Sequence, residues 1–578
     1  MHNKSIRLLL SGLCIAAMLA GCGNNSSQSS DTKNDTVTEQ NDISQAPEMP
    51  DNTEEIKIIE YTTPDISNAV QIQLSEQQIT VDGKAVGTDS TAAVYTANDI
   101  IFYLEGQDFT YGEGTEADEH SQSEADSHTV VHITEPGTYA VSGTLSAGQI
   151  AIDLGEDAED DPNAVVNLVM NGADITCSVA PAVIFYNVYE CGDDDEETAS
   201  ASVDTTAAGA NVIIADGTTN NINGSYVARI YESYELNDEG TEVVDSEKLH
   251  KYDGAFYSKM SMNIFGESDD SGVLNIKASN EGLDTELHLG IHGGTINIQS
   301  GNDGINTNED YVSVTTISGG NLKIYVDGAT GEGDGIDSNG WLVINGGSVT
   351  ASACGISGDA GIDSDMGIYI NGGSVTATGN MLDRISGGDQ TYAVFNFAST
   401  VTGGNTITLK DDSDAVVMTA NPENDFTYLI LAGDNLKEGT YTLWDGETQL
   451  SGAAIGNTMG GRGMGRGQMP DDMEKPENGE IPEGMEIPED MKMPRNGERP
   501  EMPEGMEIPE GMEMPQNSER PENPDNMENP EDMKLPEDGQ RPGRGQNNGN
   551  SSVDSNTLTT EFALVAGGNI FSSVTAAS

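Results

Sequence analysis

Four copies of one short motif carry acidic and amide side chains at a regular place in this sequence. Each copy reads Gly, then Leu or Ile, then Asp or Asn, then Ser or Thr, and its third position is occupied by Asp284, Asn306, Asp337 and Asp363. Further carboxylates lie next to or close to the motif copies, namely Glu281, Asp303, Asp334, Asp359 and Asp365. Oxygen ligands in quantity, without His or Cys among them, are the set that Ca²⁺ prefers.

A repeat in the sequence must position these side chains. Each motif copy is followed by a short apolar segment and a Gly-Gly pair, and the pairs begin at residues 293, 319, 346 and 372. A period in the mid-twenties, with three short strands and a turn at each corner, is typical of one coil of a parallel β-helix. One copy cannot bury its apolar face alone, so we expect the copies to stack.

Stacking assigns a face to each side chain through the 26-residue offset between the last two copies. Five apolar residues are expected to point inward over their counterparts: Ile336, Leu342, Ile344, Val349 and Ala351 precede Ile362, Ile368, Ile370, Val375 and Ala377. By the same offset the third motif position forms a column at one corner. Because neighbouring strands lie ~4.8 Å apart, carboxylates stacked in such a column repel one another unless a cation neutralises them.

Two interpretations of the column are open. Asp and Asn are good turn residues, and Asn also stacks as a hydrogen-bonded ladder, so the pattern has a purely structural explanation. Four copies in register, with a second acid beside most of them, favour metal binding. The sequence therefore predicts several Ca²⁺ ions, with the nine side chains named in the opening paragraph as ligands.

The charge balance excludes two classes of partner. The chain has 578 residues with 98 Asp and Glu against 24 Lys and Arg, a formal net charge of -74. Such a surface repels nucleic acid, and it has no polybasic patch for anionic lipid. A large acidic excess instead fits solubility, disorder or loading with cations.

The N-terminus resembles a bacterial lipoprotein signal. Lys4 and Arg7 precede an apolar stretch that is too short to span a bilayer, and the stretch ends in Leu19-Ala20-Gly21-Cys22. Residues 1–21 are therefore predicted to be removed, and Cys22 to carry the lipid. We expect an exported protein that is lipid-anchored to the outer face of the cell membrane, at the cell surface, and touches the membrane only through that lipid.

Composition divides the remaining chain into four parts. Residues 22–55 are polar and predicted to be a disordered tether, whereas 56–458 alternate apolar and polar residues as short strands do. Residues 459–549 repeat Pro at six-residue spacing with Met and Glu, which forbids helix and central strand and predicts a low-complexity spacer. Residues 550–578 again resemble strand and are expected to pack back on the β domain.

Several segments of the strand-rich part resemble one family. They are Asp303-Gly-Ile-Asn306, Asp334-Gly-Ile-Asp337-Ser-Asn-Gly, Ile370-Asn-Gly-Gly-Ser-Val-Thr-Ala377 and Val169-Met-Asn-Gly-Ala-Asp-Ile-Thr-Cys177. Taken together they look like the bacterial calcium-binding parallel β-helix carbohydrate-binding proteins, which resemble pectate lyases and are described as binding polygalacturonate and cellulose. The resemblance covers about 60–458 and 555–575. It implies an all-β fold, a right-handed parallel β-helix with several stacked Ca²⁺ ions, and binding of acidic polysaccharide.

Three functions are compatible with this pattern. The favoured one is a non-catalytic, monomeric binder in which uronate carboxylates complete the calcium coordination, assisted by Lys323 and by the rings of Trp341 and Tyr369. An exposed ring can stack on a sugar, and an aromatic side chain that only covers the edges of the coils is the equal alternative. The second is a calcium-dependent polysaccharide lyase, although no Lys, Lys323 included, lies in a recognisable catalytic motif. The third is a structural or adhesive surface protein without a sugar ligand.

The cysteines and histidines add no further metal site. Cys177, Cys191 and Cys354 remain after processing, with no paired-cysteine motif, so zinc is not expected. A disulfide between Cys177 and Cys191 is one option, and buried free thiols are the favoured one. The histidines are scattered, and no Ser-His-Asp motif is visible.

Overall fold

The computed structural model describes residues 56–192, 195–237, 240–249, 252–455 and 558–577. The predicted signal peptide with Cys22, the tether and the spacer lie outside the described residues. Within them the chain is all-β with large sheets and almost no helix: one α-helix, Gln122–Ala125, and one 3₁₀ turn, Glu156–Ala158. No helix in this part of the chain has the length and apolar character needed to cross a membrane.

The strands of the first half follow one another at short intervals. They are β1 (Val70–Leu74), β2 (Thr80–Val81), β3 (Lys84–Ala85), β4 (Val94–Ala97), β5 (Gly112–Glu113), β6 (Thr129–Ile133), β7 (Gly137–Leu145), β8 (Gly148–Asp153), β9 (Val166–Thr176), β10 (Val183–Asn187), β11 (Ala210–Ile214), β12 (Thr219–Gly224), β13 (Arg229–Leu236), β14 (Val243–Lys248), β15 (Gly254–Ser258), β16 (Met262–Gly266), β17 (Val273–Ala278), β18 (Glu281–Thr285), β19 (Leu289–Ile291) and β20 (Thr295–Ser300).

The second half continues in the same manner and then changes to longer strands. They are β21 (Ile305–Thr307), β22 (Val314–Ile317), β23 (Asn321–Val326), β24 (Ile336–Ser338), β25 (Trp341–Ile344), β26 (Ser348–Ser352), β27 (Gly367–Ile370), β28 (Ser374–Gly379), β29 (Ile385–Gly387), β30 (Tyr392–Val401), β31 (Ile407–Asp411), β32 (Val416–Ala420), β33 (Phe426–Ala432), β34 (Gly439–Asp445), β35 (Thr448–Ile455), β36 (Phe562–Leu564) and β37 (Gly568–Ala576).

Three parallel ladders dominate the fold. The first ladder runs through β6, β8, β10, β15, β18, β21 and β24. The second ladder joins β1, β7, β9, β11, β16, β19, β22, β25, β27 and β29. The third ladder joins the ends of β7 and β9 to β12, β17, β20, β23, β26 and β28. From β15 to β26 the chain visits the first, second and third ladder in turn.

The core between the ladders is built from aliphatic columns. Leu342 pairs with Ile368, and Val349 pairs with Val375, each pair being 26 residues apart and buried. All ten residues expected to point inward are buried, which confirms the faces assigned from the repeat. We call strands β15 to β28, residues 254–379, the ladder region.

The Gly-Gly pairs form the corners between the second and third ladders. Gly347 and Gly373 adopt φ of +77° and +84°, which is a left-handed conformation that residues with a Cβ rarely adopt. A Cβ on Gly372 would lie 2.6 Å from the carbonyl oxygen of Asn345 in the preceding repeat. Glycine is therefore required at these corners for both backbone conformation and close stacking.

The last part of the described chain continues the sheet of the ladder region with mostly antiparallel pairing. We call residues 392–455 and 558–577 the C-terminal region. Here β33 pairs antiparallel with β28 and β30, while β37 pairs parallel with β30 and antiparallel with β35. Its core is aromatic: Phe562 packs against Phe395 and Phe571 with ring centroids 5.4 and 5.0 Å apart. Strands β36 and β37, which follow the predicted spacer, are thus part of this sheet.

Candidate functional site

The third positions of the four motif copies form one column on the first ladder. Asp284 pairs with Asn306, and Asn306 pairs with Asp337. Asp363 continues the series, because its backbone N–H donates to the carbonyl of Ile336 at 2.7 Å. This alignment, which we call the motif column, confirms the register expected from the repeat. Parallel strands place equivalent residues of successive repeats one above another, and this is why the repeated motif predicted the column.

A second group of carboxylates lies beside the column, three or four residues before each motif position. We call Glu281, Asp303, Asp334 and Asp359 the flanking acids. Asp303 Oδ1 accepts the backbone N–H of Asp334 at 2.6 Å, and Asp334 Oδ1 accepts that of Ala360 at 2.5 Å. Asp359 Oδ2 accepts the N–H of Gly333 at 2.7 Å. These carboxylates therefore bridge successive repeats.

Amide side chains connect the two groups. Asn306 Nδ2 donates to Glu281 Oε1 at 3.1 Å and to Asn308 Oδ1 at 3.2 Å, and Asn308 Nδ2 donates to Asp284 Oδ1 at 2.6 Å. Asn306 is only 7% exposed, and its Oδ1 accepts no hydrogen bond from the described residues. A buried amide oxygen without a donor is costly, so it is a suitable ligand for a cation.

Two side chains of this face, Asn308 and Glu286, were not among the predicted ligands. Each follows the motif position by two residues, as do Asn339 and the predicted ligand Asp365 in the other copies. Side chains two residues apart along a strand point to the same face, so period-two spacing was the available signal. Asn339 Nδ2 donates to Asp310 Oδ1 at 3.0 Å, which brings one further carboxylate to this face.

Burial and mutual repulsion raise the pKa of several of these acids. Burial, followed by the charge of Glu281, raises the pKa of Asp303 well above its usual range. Burial, followed by the charges of Asp303 and Asp363, does the same to the pKa of Asp334. The pKa of Asp363 rises to about 8 through burial and then the charge of Asp383. The carboxylates therefore lie close enough to oppose one another's ionisation.

Asp383 is an acid that the repeat did not reveal. Its Oδ2 accepts the backbone N–H of Ser364 at 3.2 Å, beside the last motif copy. It lies beyond the four copies, so no offset predicts its place.

The acids do not by themselves form a complete metal-coordination site. Within the described ranges, no group of three or more His, Cys, Asp or Glu side chains is arranged so that it could hold a metal ion. The donor chemistry of the column suits Ca²⁺, but a cation here would also need amide, backbone or water oxygens.

The expectation of an exposed Trp341 is corrected by the structure. Trp341 aligns with Val314 and Gly367 on the second ladder, yet it is only 8% exposed. It packs with Ala201 and Val314, and the partly buried Tyr369 lies against the same cluster. The face of the Trp341 ring is therefore not available to stack on a sugar in this structure.

Two distant chain segments cover this aromatic cluster. The backbone N–H of Lys57 donates to Ser202 Oγ at 3.0 Å, and the hydroxyl groups of Tyr61 and Thr205 are 3.2 Å apart. Ile56 and Val203 pack on the cluster with them. These segments are remote in sequence from Trp341, and no repeat offset indicates where they lie.

Lys323 is exposed and lies on the third ladder, away from the motif column. It aligns with Asn297 and Thr350, as the repeat predicted. Its Nζ lies 2.5 Å from Glu423 Oε1, an acid in the loop before β33. The ammonium is therefore neutralised by a carboxylate of the C-terminal region rather than directed at the acids of the first ladder.

One Ser–His contact appears only in the structure. Ser178 Oγ lies 3.4 Å from His128 Nε2 and 3.3 Å from Glu124 Oε1. The same Nε2 also accepts the backbone N–H of Ser178 at 3.2 Å, while Nδ1 is 3.0 Å from the Glu124 carbonyl. Because the Nε2 lone pair is already engaged, this contact suits turn stabilisation better than general-base chemistry. Cys177, Cys191 and Cys354 are all free thiols, which excludes the optional disulfide in this structure.

Comparison with known proteins gives one family and one structural neighbour. A family model described as "Carbohydrate-binding domain-containing protein" matches residues 127–427, just over half of the chain and a range that contains the motif column and the flanking acids. No curated protein matches the chain. A solved structure, the polysaccharide lyase-like protein from C. thermocellum in its gadolinium derivative, is similar with 20% identity and a TM-score of 0.29. That alignment covers 53% of this chain and 92% of the other.

Proposed function

The chain belongs to the family of carbohydrate-binding domain-containing proteins, and we propose that it binds acidic polysaccharide through Ca²⁺ held along the motif column. The observation that carries this proposal is the register of Asp284, Asn306 and Asp337, which repeats oxygen ligands from strand to strand. A linear polyanion presents carboxylates at regular intervals, so a row of cations is a suitable partner for it. The protein acts as a binder and not as a lyase, and polygalacturonate-like chains are the expected ligand.

The proposed fold is a right-handed parallel β-helix with three strands per coil. In support, the chain passes through the three ladders in the same order four times between β15 and β26. In such a fold every coil contributes one residue to each column. The motif column would then run along one corner of the helix.

Calcium would supply the positive charge that the site lacks. The flanking acids and the motif column would hold it, with the Asn306 amide oxygen and the backbone as further donors. The remaining coordination positions would take uronate carboxylates. Because the raised pKa values of Asp303 and Asp334 reflect burial and like-charge repulsion, a bound dication would favour their ionised forms.

The proposed location is the outer face of the cell membrane, with the lipid on Cys22 as the only membrane contact and the protein as a monomer. The acidic surface of the chain then faces the medium. Radiolabelled palmitate incorporation that disappears in a Cys22→Ala variant would support this location, and its persistence would contradict it.

The central experiment is a pull-down with insoluble polygalacturonate. The wild-type chain should be retained in millimolar Ca²⁺ and released by EDTA, and a variant with Asp337→Asn and Asp363→Asn should bind at least about tenfold more weakly. Asp327→Asn is the matched control, because Asp327 is exposed and lies on the third ladder side of the repeat. Retention that is unchanged in EDTA would contradict the calcium mechanism.

The same samples separate binder from lyase. β-Elimination of a uronate polymer releases an unsaturated product that absorbs in the ultraviolet. The proposal expects no increase in this absorbance during prolonged incubation with Ca²⁺. An increase that requires the acids of the motif column would establish the lyase instead.

A further inference from the structure

A segment without strand structure lies across the outward face of the second ladder. It comprises residues 56–66, which we call the strap, and each of its residues remains at least partly exposed. At one end Ile56 packs with the cluster around Trp341, which belongs to β25. At the other end Ile66 packs with Phe265 of β16. Strands β16, β19, β22 and β25 are consecutive in this ladder, so the strap runs across four of them.

Few directional contacts hold the strap in this place. Among the described residues, no backbone-to-backbone hydrogen bond joins it to the ladders. The backbone N–H of Lys57 donates to Ser202 Oγ at 3.0 Å, and Thr63 Oγ1 donates to the carbonyl of Gly266 at 3.1 Å. A segment that is outside the sheet and only partly buried can open locally while the ladders remain folded.

Tyr61, the one aromatic residue of the strap, is its anchor. The Tyr61 ring stacks on that of His292 with centroids 3.6 Å apart, and its hydroxyl lies 3.2 Å from Thr205 Oγ1. Packing around it is incomplete, because a space of ≈ 10 Å³ lies between the strap and Ser318. Ser318 Oγ is buried without a hydrogen-bond partner among the described residues. Opening of the strap would give this hydroxyl access to water, which lowers the cost of opening.

The rings that the strap covers lie close to the motif column. Trp341 begins β25 four residues after Asp337, and Ser338 Oγ donates to the carbonyl of Trp341 at 2.9 Å across the corner between the two ladders. Four residues span at most about 14 Å. An uncovered Trp341 ring would therefore be within reach of a sugar chain bound along the column, and its face would suit the C–H groups of a pyranose.

We propose that the strap is autoinhibitory: it lifts from the second ladder and so uncovers Trp341 and Tyr369, which then stack on sugars of the polysaccharide held at the motif column. The inference rests on the carbohydrate binding proposed above and adds its regulation. The loop that carries Ala201 also covers Trp341, and it is released with the strap because Ser202 is bonded to Lys57. The affinity for the polymer should then rise with the fraction of open molecules.

Fluorescence measures the opening. The chain has two Trp residues, so Trp341 is the only reporter in a Trp444→Phe background. In that background Tyr61→Ala should raise the acrylamide quenching constant at least about threefold, with an unchanged circular dichroism spectrum. Ile58→Ala is the matched control, because Ile58 belongs to the strap but is 70% exposed. Equal quenching in Tyr61→Ala and the control would overturn the proposal.

Polygalacturonate pull-down in Ca²⁺ tests the inhibition. Tyr61→Ala should bind at least about threefold more tightly than wild type and Ile58→Ala. Addition of Trp341→Leu should return retention to the wild-type level, because the motif column is untouched. Retention of Tyr61→Ala equal to that of wild type, or a gain that survives Trp341→Leu, would overturn the proposal even if quenching increases.

EDTA keeps this proposal apart from the calcium mechanism. A gain in Tyr61→Ala that requires Trp341 and persists in EDTA would support the strap and refute calcium-dependent binding. Calcium-dependent retention that is the same in wild type and Tyr61→Ala would refute the strap alone.

Discussion

The ladder region and the C-terminal region are both β-sheet, yet they shift the pKa of aspartate side chains in opposite directions. In the ladder region Asp334 is held among other acids, and burial raises its pKa. In the C-terminal region Asp411 is partly exposed at a turn, where hydrogen bonds from Ser413 and Ala415 lower its pKa. Burial and neighbouring acids disfavour the ionised form of Asp334, whereas hydrogen bonds within its own turn favour the ionised form of Asp411.

The difference follows from how the strands pair. Parallel strands of one repeat place equivalent residues above one another, so a single acidic position becomes a column. Antiparallel strands such as β31 and β34 bring together unrelated residues, for example Leu409 with Leu443 and Asp411 with Tyr441. A repeat therefore concentrates like charges, whereas the pairing in the C-terminal region does not. Four changes test this comparison.

A substitution in the aromatic part of the C-terminal core should cause the largest loss of unfolding free energy. Phe562 is fully buried against Phe395 and Phe571, and Phe562→Ala should cost about 3–5 kcal/mol of unfolding free energy through lost burial and a cavity. Urea denaturation followed by circular dichroism measures it. Leu558→Ala, at an exposed residue of the same segment, should change stability by less than about 0.5 kcal/mol. Equal effects would show that the segment after the spacer contributes no core.

The second largest loss of unfolding free energy is expected at the junction of the two regions. Asn424, in the loop before β33, donates from Nδ2 to the carbonyls of Val326 and Ala353, both at 2.6 Å. Asn424→Ala leaves two carbonyls of the ladder region without this donor and should cost about 2–3 kcal/mol. The exposed neighbour variant Asn421→Ala is the control in the same thermal melts. A loss no larger than that of the control would mean that the regions are joined by apolar packing alone.

Two buried histidines should give the ladder region a contribution to stability that is lost in acid, whereas the C-terminal region includes no His. Burial lowers the pKa of His292 to about 3 and that of His288 to about 4, both from 6.5. Because these pKa values are depressed, the stabilising contribution is present above pH 6.5 and is lost as the pH falls towards 4.

Comparison of wild type with His292→Gln in EDTA isolates this effect. Between pH 7 and pH 5 the wild-type chain should lose about 1–2 kcal/mol more than the variant, measured by urea denaturation at each pH. The two proteins are compared at the same pH, so titration of the acids cancels. Identical pH profiles would show that His292 is protonated without cost in the folded chain.

The exposed ion pair between the regions should have the smallest effect. Lys323 and Glu423 are about half exposed, with side-chain accessibilities of 55% and 45%. Lys323→Ala should therefore change the unfolding free energy by less than about 1 kcal/mol and leave polygalacturonate retention unchanged. A marked loss of retention without loss of stability would restore Lys323 as a ligand-binding residue.

Much of the ladder region could be predicted from residue spacing. The offset of 26 residues placed Leu342 over Ile368 and Asp337 beside Asp363, because only one register of parallel strands aligns the equivalent residues of two successive repeats. The family match agrees with carbohydrate binding as the general function. Calcium, the lipid anchor, the domain limits and the non-catalytic role stay predictions.

The burial of Trp341 could not be predicted in this way. Ile56 and Val203 cover the Trp341 cluster, but neither residue belongs to the repeat. Their positions depend on long-range packing, which leaves no local periodicity in the sequence.

The sequence by itself determined the all-β class, the inward faces and the alignment of the acids, since these follow from alternation and a fixed period. Only the tertiary structure decided which outward faces stay open. The exposure of an outward face depends on where the non-repeating segments pack. Those segments are held in place by contacts between residues more than 100 positions apart in the sequence, such as that between Tyr61 and Thr205. The local sequence pattern therefore predicts the structure of the repeat, whereas the residues that cover the surface of the repeat can be identified only from the folded chain.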